Sequence, residues 1–227
     1  MANERFSRFI DSKSYPVVFT TEDLLQMADL PYKRLLVSKG DVIFQPDECH
    51  PYTYHLVSGL VRLYLTSSEG AVKTLFYHSE GTQFAFQGFK RDRKTRSTAE
   101  AVTDCELFAI DTCDLIAFCD ENTEYYMAYI EYLFSIMSSQ TEEIASLSFH
   151  TGLSRVIQLL YILTENDGDV IPYSIDELAE IIGAHRNTVS NALAHLRKLG
   201  YVEKQPRPIV VCDKQGLQSL IESSPGL

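Results

Sequence analysis

The stretch that decides the fold is SIDELAEIIGAHRNTVSNALAHLRKLGYVEK, residues 174–204. Ser174 followed three residues later by Glu177 is the pattern of a capping box, which predicts that a helix begins there. The apolar face of this helix is supplied by Ile175, Leu178, Ala179 and Ile182. Gly183 then permits a sharp turn, where a side chain would strain the backbone. A helix and a tight turn at this spacing predict the first half of a helix-turn-helix.

A second helix is predicted from His185 to Leu199. Its inward side is expected to consist of Val189, Leu193, Leu196 and Leu199. The polar residues near its N-terminal end are expected to reach base edges in the major groove of double-stranded DNA. The candidate DNA-binding residues of the two helices are Ser174, His185, Arg186, Asn187, Thr188, Ser190 and Asn191.

The segment YVEKQPRPIVVC, residues 201–212, predicts two short strands with a tip at Pro206–Pro208. Lys204 and Arg207 near that tip are candidates for phosphate contacts, as in the wing of a winged helix. Helix-turn-helix geometry also occurs in ordinary helical domains. The cap, the turn glycine, the polar N-terminal face and the hairpin together favour DNA binding over that alternative.

Upstream, the spacing predicts one long helix over residues 121–149. Apolar residues recur there at intervals of 4, 3, 4, 3, 4 and 3, as in a coiled-coil seam. The seam residues are Tyr126, Ile130, Leu133, Met137, Gln140, Ile144 and Leu147. The alternative is a helix packed wholly on its own domain. The length, the 3.5-residue period and the polar Gln140, which can fix register, favour a homodimer.

Residues 40–110 predict short strands. Gly59, Gly70 and Gly81 stand 11 residues apart and each ends an apolar or alternating run, which is the rhythm of an antiparallel meander. The fold class is therefore α+β: an antiparallel β-roll of the jelly-roll type, a dimerisation helix and a winged helix-turn-helix. The expected boundaries are 1–120, 121–149 and 150–227.

In this order of elements the sequence resembles the Crp/Fnr superfamily of transcription regulators, and GAHRNTVSNAL (183–193) lies on that family's recognition-helix motif. The resemblance implies a palindromic site with half-sites about 34 Å apart and RNA polymerase as a partner. It also implies that Arg186 contacts guanine. Asn187 and Asn191 replace a glutamate and an arginine common in the family. Because asparagine pairs with adenine, we expect a half-site richer in A·T.

The resemblance also bears on the effector. Arg96-Ser97 match the phosphate-binding pair of cyclic-nucleotide members, but Ala85-Phe86 stand where a Gly-Glu pair binds the ribose. A different small-molecule effector is therefore expected, or none, in a constitutive regulator with a degenerate β-roll. Arg96 is either an anion partner or a solvated arginine. The candidate effector pocket, with packed core as the alternative, comprises Phe84, Phe86, Phe89, Arg96, Tyr125, Tyr126 and Tyr129.

The net charge of −11 is divided unevenly along the chain. Residues 1–150 hold 13 basic and 22 acidic groups, whereas residues 151–227 hold 7 and 9. The acidity therefore lies mainly outside the DNA-binding part, and a DNA footprint needs only a local basic stripe.

The remaining patterns exclude several functions. Five scattered cysteines without a CxxC pair predict neither a disulfide framework nor a metal cluster, although Cys113 and Cys119 form a redox pair if strands bring them together. His50, His55 and His78 leave haem sensing open. No catalytic motif, signal peptide or membrane span is apparent, so a cytoplasmic protein that is not an enzyme is expected, with no metal or resident cofactor.

Overall fold

The computed structural model describes residues 18–27, 29–89, 92, 94–205 and 207–223, with the backbone alone at 166 and 167. The chain forms two compact units that divide within one long helix. The first is built mainly from residues 18–65 and 75–139, the second mainly from residues 140–223. Each unit is described by itself.

The first unit contains a β-roll of two four-stranded sheets. Its strands are β1 (Tyr32–Val37), β2 (Val42–Phe44), β3 (Tyr52–Ser58), β4 (Leu60–Thr66), β5 (Val72–Ser79), β6 (Gln83–Phe84), β7 (Thr98–Ala101) and β8 (Cys105–Asp111). One sheet has the order β1-β8-β3-β6 and the other β2-β7-β4-β5. Neighbouring strands are mostly distant in sequence, so the jelly-roll prediction is confirmed. The meander inferred from the glycine spacing is wrong except at the β4–β5 neighbours.

All three spaced glycines adopt the left-handed backbone that favours glycine, with φ of 102° at Gly59, 82° at Gly70 and 83° at Gly81. Gly59 is further restricted by space. A Cβ there would lie 2.6 Å from the carbonyl oxygen of Asp104, which is far inside van der Waals contact. Glycine is therefore required at the β3–β4 turn on both counts.

Three α-helices, together with a short 3-10 helix at Phe86–Phe89, complete the described part of the first unit: α1 (Thr21–Gln26), α2 (Thr112–Glu121) and the start of α3 (Thr123–Phe149). They enclose a core separate from the core between the sheets, containing Phe19, Leu24 and Tyr129. The Tyr132 hydroxyl donates a 2.6 Å hydrogen bond to the carbonyl oxygen of Gln83, which fixes α3 against β6.

Cys113 and Cys119 both lie in α2, so the idea that strands bring them together is wrong. Cys113 is exposed, whereas Cys119 is buried, and both are free thiols. Burial raises the pKa of the Cys119 thiol to about 11, which disfavours the reactive thiolate.

The second unit takes up the C-terminal part of α3, from residue 140, and continues beyond it. It contains α4 (Gly152–Asp167), β9 (Val170–Ile171), α5 (Ile175–Ile182), α6 (Arg186–Leu199), β10 (Ile209–Val210) and α7 (Lys214–Ser223). The core side chains at Leu160, Leu163, Val189, Leu193 and Leu196 are fully buried. Strand β10 pairs with β9, and the other arm of the predicted hairpin is a single bridge from Val202 to Val211.

None of the described helices combines the length and apolarity needed to cross a membrane.

Candidate DNA-binding surface and effector cavity

Local hydrogen bonds build the helix-turn-helix as the sequence predicts. The Ser174 hydroxyl oxygen accepts a bond from the backbone N–H of Glu177 at 3.2 Å, and the Glu177 carboxylate accepts one from the backbone N–H of Ser174 at 2.7 Å. Gly183 ends α5 in the left-handed region, with φ 63° and ψ 49°. The predicted capping box and turn glycine are thus confirmed.

The N-terminal end of α6 presents an exposed polar face made by His185, Arg186, Asn187 and Asn191, with Ser190 half-buried beside them. One Arg186 guanidinium nitrogen lies 3.5 Å from an Asp176 carboxylate oxygen, and both side chains are at least 60% exposed. Ion pairs this exposed contribute little. Arg186 can therefore leave Asp176 for another partner at small cost.

Two residues depart from their predicted orientation, whereas Ser174 caps α5 as predicted. Thr188 is half-buried and lies against Gly152 at the start of α4, where an added Cβ would be 2.4 Å from its Cγ2. Leu199 was expected to face inward but is 53% exposed, because α6 ends there.

The basic residues of the second unit divide into two groups. Arg155 donates to the carbonyl oxygen of Ile182 at 2.5 Å, Arg197 donates to that of Glu203 at 3.2 Å, and Lys214 pairs with Glu165. Arg155 and Arg197 thus support the fold, whereas the Lys214–Glu165 pair is exposed and contributes little. Lys204 and Arg207 are exposed, as a wing that contacts phosphates requires.

Helix α3 has two different apolar faces over its first four turns. Leu133 and Ile136 point into the β-roll, where they line a cavity. Phe134 and Met137, immediately next to them, are 63% and 62% exposed. Further exposed apolar side chains on α3 are Tyr126, Met127, Ile144, Leu147 and Phe149. Phe134 therefore takes the outward position that the predicted seam gave to Leu133.

The cavity in the β-roll has a volume of about 320 Å³. It is lined by Leu63, Leu75, Phe76, His78, Phe84, Ala85, Phe86, Gln87, Thr95, Ser97, Leu133 and Ile136. This volume is at the lower end of the roughly 300–1,000 Å³ found for small-molecule sites. None of the lining residues in the described part of the chain carries a charged side chain.

Only Phe84 and Phe86 of the seven predicted pocket residues line this cavity. Tyr129 is buried in the helical core against Phe19, with ring centroids 5.6 Å apart. Tyr125 packs edge-on against the same ring, Tyr126 and Phe89 are partly exposed, and Arg96 is exposed. The packed-core alternative is therefore the one observed for Tyr125 and Tyr129.

The lining residues that the sequence did not indicate come from β4 and β5, from the segments after β6 and before β7, and from α3. Phe76 and His78 on β5 are an i, i+2 pair, which shares one face of a strand, and Thr95 and Ser97 have the same spacing in the bend before β7. That alternation was the available signal. It does not by itself tell which face encloses a cavity.

The three histidines that were candidates for haem binding have different surroundings. His55 accepts or donates bonds to Thr21 and Gln83 at 2.8 and 3.0 Å, and His50 packs against Phe44. His78 lines the cavity, where burial lowers its pKa to about 3. Among the described residues, no three His, Cys, Asp or Glu side chains converge as metal ligands.

Comparison with known proteins agrees with this architecture. Residues 34–122 match the cyclic nucleotide-binding domain family, and residues 154–220 match the Crp-like helix-turn-helix domain family. The Cyclic AMP receptor protein of Thermus thermophilus is 27% identical over 190 residues, covering 83% of this chain and 88% of the relative. The cAMP-activated global transcriptional regulator CRP of Escherichia coli O6:H1 is 25% identical over 182 residues, covering 77% and 86%.

Solved structures give the same result. A CRP/FNR-family transcriptional regulator of Thermus thermophilus superposes with a TM-score of 0.66 at 26% identity, covering 84% of this chain and 99% of that one. A crp/fnr-family regulator of Eubacterium rectale has a TM-score of 0.72 at 20% identity, covering 90% and 96%, which supports the fold.

The β-roll, the exposed polar face of α6 and these relatives define a DNA-binding transcription regulator rather than an enzyme. The chain belongs to the Crp/Fnr family.

Proposed function

We propose that the protein is a homodimer whose affinity for a palindromic DNA site is set by a small-molecule effector other than cyclic AMP, held in the β-roll cavity. The observation that carries this proposal is the double role of α3. Adjacent residues of one helix line the cavity on one side and form an exposed apolar stripe on the other. A molecule that fills the cavity therefore acts on the same helix that would meet a second copy.

The exposed stripe supports the dimer. Phe134, Met137 and Ile144 are each more than 60% exposed, and they are spaced by 3 and 7 residues, which keeps them on one face of a coiled coil. Covering large apolar side chains of this kind is favourable by about 25 cal/mol per Å² of apolar surface removed from water. A second α3 helix with the same stripe is a fitting partner.

The cavity residue at the position of the family's ribose-binding glutamate argues against cyclic AMP. Phe86 lines the cavity at the position where cyclic-nucleotide members of the family resembled carry a glutamate. A phenyl ring accepts no hydrogen bond from a ribose hydroxyl and occupies the space. Arg96, the match to the phosphate-binding arginine, is exposed and lies outside the lining.

On DNA, two α6 helices would occupy successive major grooves about 34 Å apart. Arg186 would donate to guanine O6 and N7, and the two asparagines of the exposed face would favour adenine. Lys204 and Arg207 would hold the flanking phosphates. Recruitment of RNA polymerase is the further partner that this role implies.

The first test is enrichment of genomic DNA fragments on the purified full-length protein at a stated salt concentration, with and without cell extract. Arg186→Ala is run in parallel, and Lys214→Ala serves as a control that loses the same charge away from α6. We expect a palindrome with half-sites one helical turn apart. Removing one bidentate base contact costs about 1–3 kcal/mol, and Arg186→Ala removes one from each half-site of the dimer. The variant should therefore lower affinity about 30-fold or more, and Lys214→Ala should not.

The dependence on extract separates the two modes of regulation. Enrichment that appears or disappears with extract supports an effector. Equal enrichment in both conditions contradicts the effector and leaves a constitutive regulator with a degenerate β-roll. No enrichment in either condition contradicts the proposed palindromic site.

A further inference from the structure

We infer that the effector is an uncharged, largely apolar molecule, about the size of two fused aromatic rings, that carries one hydrogen-bonding group for His78. This inference deepens the proposed function and rests on it, since it names the ligand class of the same cavity.

His78 is set apart from the other described lining residues by a buried side-chain nitrogen that has no hydrogen bond. Its side chain is only 3% exposed, and the ring stacks on Phe84 with centroids 5.0 Å apart and an interplanar angle of 22°. The Nδ1 atom is buried and makes no hydrogen bond within the described part of the chain. Leaving a buried polar atom unpaired is unfavourable, so a ligand that supplies the missing hydrogen bond binds more tightly than one that does not.

The same surroundings hold the imidazole neutral. Desolvation is the cause of its depressed pKa, and a neutral ring offers one N–H donor and one acceptor instead of a positive charge. His78 therefore suits a hydroxyl, amide or ring N–H of a ligand. It does not supply the cation that a carboxylate or phosphate would need.

The rest of the lining points to the same class. The second polar cluster is the pair Thr95 and Ser97, whose hydroxyl oxygens lie 2.9 Å apart and already bond to each other. Most of the other lining side chains are aliphatic or aromatic, and the described ones carry no charge. An ion placed here would lose its hydration without a partner, at a cost of several kcal/mol.

Three matched probes of equal ring size test the inference on the full-length protein by isothermal titration calorimetry: 2-naphthol, naphthalene and 2-naphthoate. We expect 2-naphthol to bind three- to tenfold more tightly than naphthalene, as one net hydrogen bond provides. We expect 2-naphthoate and cyclic AMP to bind at least tenfold more weakly than 2-naphthol.

His78→Phe tests the anchor, because it keeps an aromatic ring and removes both nitrogens. In this variant naphthalene should bind as in the wild type, and the preference for 2-naphthol should vanish. Leu63→Phe, which fills the cavity, should weaken both neutral probes. In protein with ¹⁵N-labelled histidine, the ring nitrogen resonances of His78 should move with 2-naphthol and stay in place with naphthalene. Thermal unfolding confirms that the variants remain folded.

The outcomes separate this inference from the proposed function. Tighter binding of 2-naphthoate or cyclic AMP, no binding of any neutral probe, or an unchanged preference in His78→Phe overturns the ligand class. DNA binding that still responds to cell extract would then leave the effector-controlled regulator standing. Conversely, the three probes could bind in the expected order while DNA binding does not respond to cell extract. That result would uphold the ligand class and contradict control of DNA binding by an effector.

Discussion

The contact between Gly152 and Thr188 joins the start of α4 to the recognition helix, and it gives the sharpest test of how α6 is positioned. A Cβ on residue 152 would lie 2.4 Å from the Thr188 Cγ2. Carbon atoms pack at about 3.5–4.0 Å, so a Gly152→Ala substitution forces a separation of more than ~1 Å. Thr188 sits in the first turn of α6, next to Arg186 and Asn187.

Overpacking of this kind costs about 1–3 kcal/mol. We expect Gly152→Ala to lower the free energy of unfolding by that amount in urea titrations followed by circular dichroism. We also expect it to weaken specific DNA binding at least tenfold, measured by fluorescence anisotropy on the enriched site, because α6 must shift to relieve the overlap. A lone helix-start glycine without this neighbour would instead tolerate alanine with little change.

Thr188→Ser is the matched second change, since it deletes only the overlapping methyl. The next atom from the new Cβ is then the residue 188 Cβ at 3.8 Å, an ordinary contact. The double variant should therefore recover most of the stability and the DNA affinity lost by Gly152→Ala. If Gly152→Ala costs the same in both backgrounds, or costs nothing because residue 188 changes rotamer, the two residues do not position α6 and this reasoning is refuted.

Further predictions concern the β-roll and α3. Burial lowers the pKa of His55 to about 4 and of His78 to about 3, so below pH 6.5 the unfolded chain binds more protons and stability falls as pH falls towards 4. The two rings add up to about 2.7 kcal/mol per pH unit to the slope seen in urea titrations, and His78→Phe should halve that addition. Phe134→Asp should shift the protein to monomer in sedimentation velocity. An unchanged dimer would mean that Phe134 lies outside the dimer interface. Gly59→Ala should lower the free energy of unfolding by about 2–5 kcal/mol, measured by thermal unfolding, because backbone strain and steric overlap both act there. Gly70→Ala should lower it by about 1–2 kcal/mol, because only backbone strain acts where nothing lies near the added Cβ. Equal losses in the two variants would contradict the role of steric overlap at Gly59.

The helix-turn-helix could be predicted closely from the sequence because its determinants are local. A serine and a glutamate three residues apart form the cap, and a glycine at the turn adopts the positive φ that only glycine takes freely. The packing of Thr188 could not be predicted, because its partner Gly152 is 36 positions away along the chain. No spacing within α6 distinguishes a threonine that faces DNA from one that faces α4.

The cavity was harder to predict for a related reason. Helix α3 carries apolar residues at two overlapping sets of heptad-like positions, so Leu133 and Phe134 are equally plausible members of a seam. Which strand residues share the face of the cavity depends on the pairing of β4 with β7, and these two strands are far apart in sequence. The aromatic residues around Tyr129 fill the helical core, whereas Phe84 and Phe86 line the cavity.

The modest size of the cavity does not make it too small to control the helix. An effector that prefers one arrangement of α3 a hundredfold supplies about 2.7 kcal/mol. One net hydrogen bond to His78 contributes about 0.5–1.5 kcal/mol, and each methylene buried against Ile136 about 0.8. If both contacts form in only one arrangement, two or three such groups suffice. Because Ile136 and Met137 are neighbours on the same turn, a displacement that the ligand imposes at the cavity reaches the exposed stripe without any intervening element.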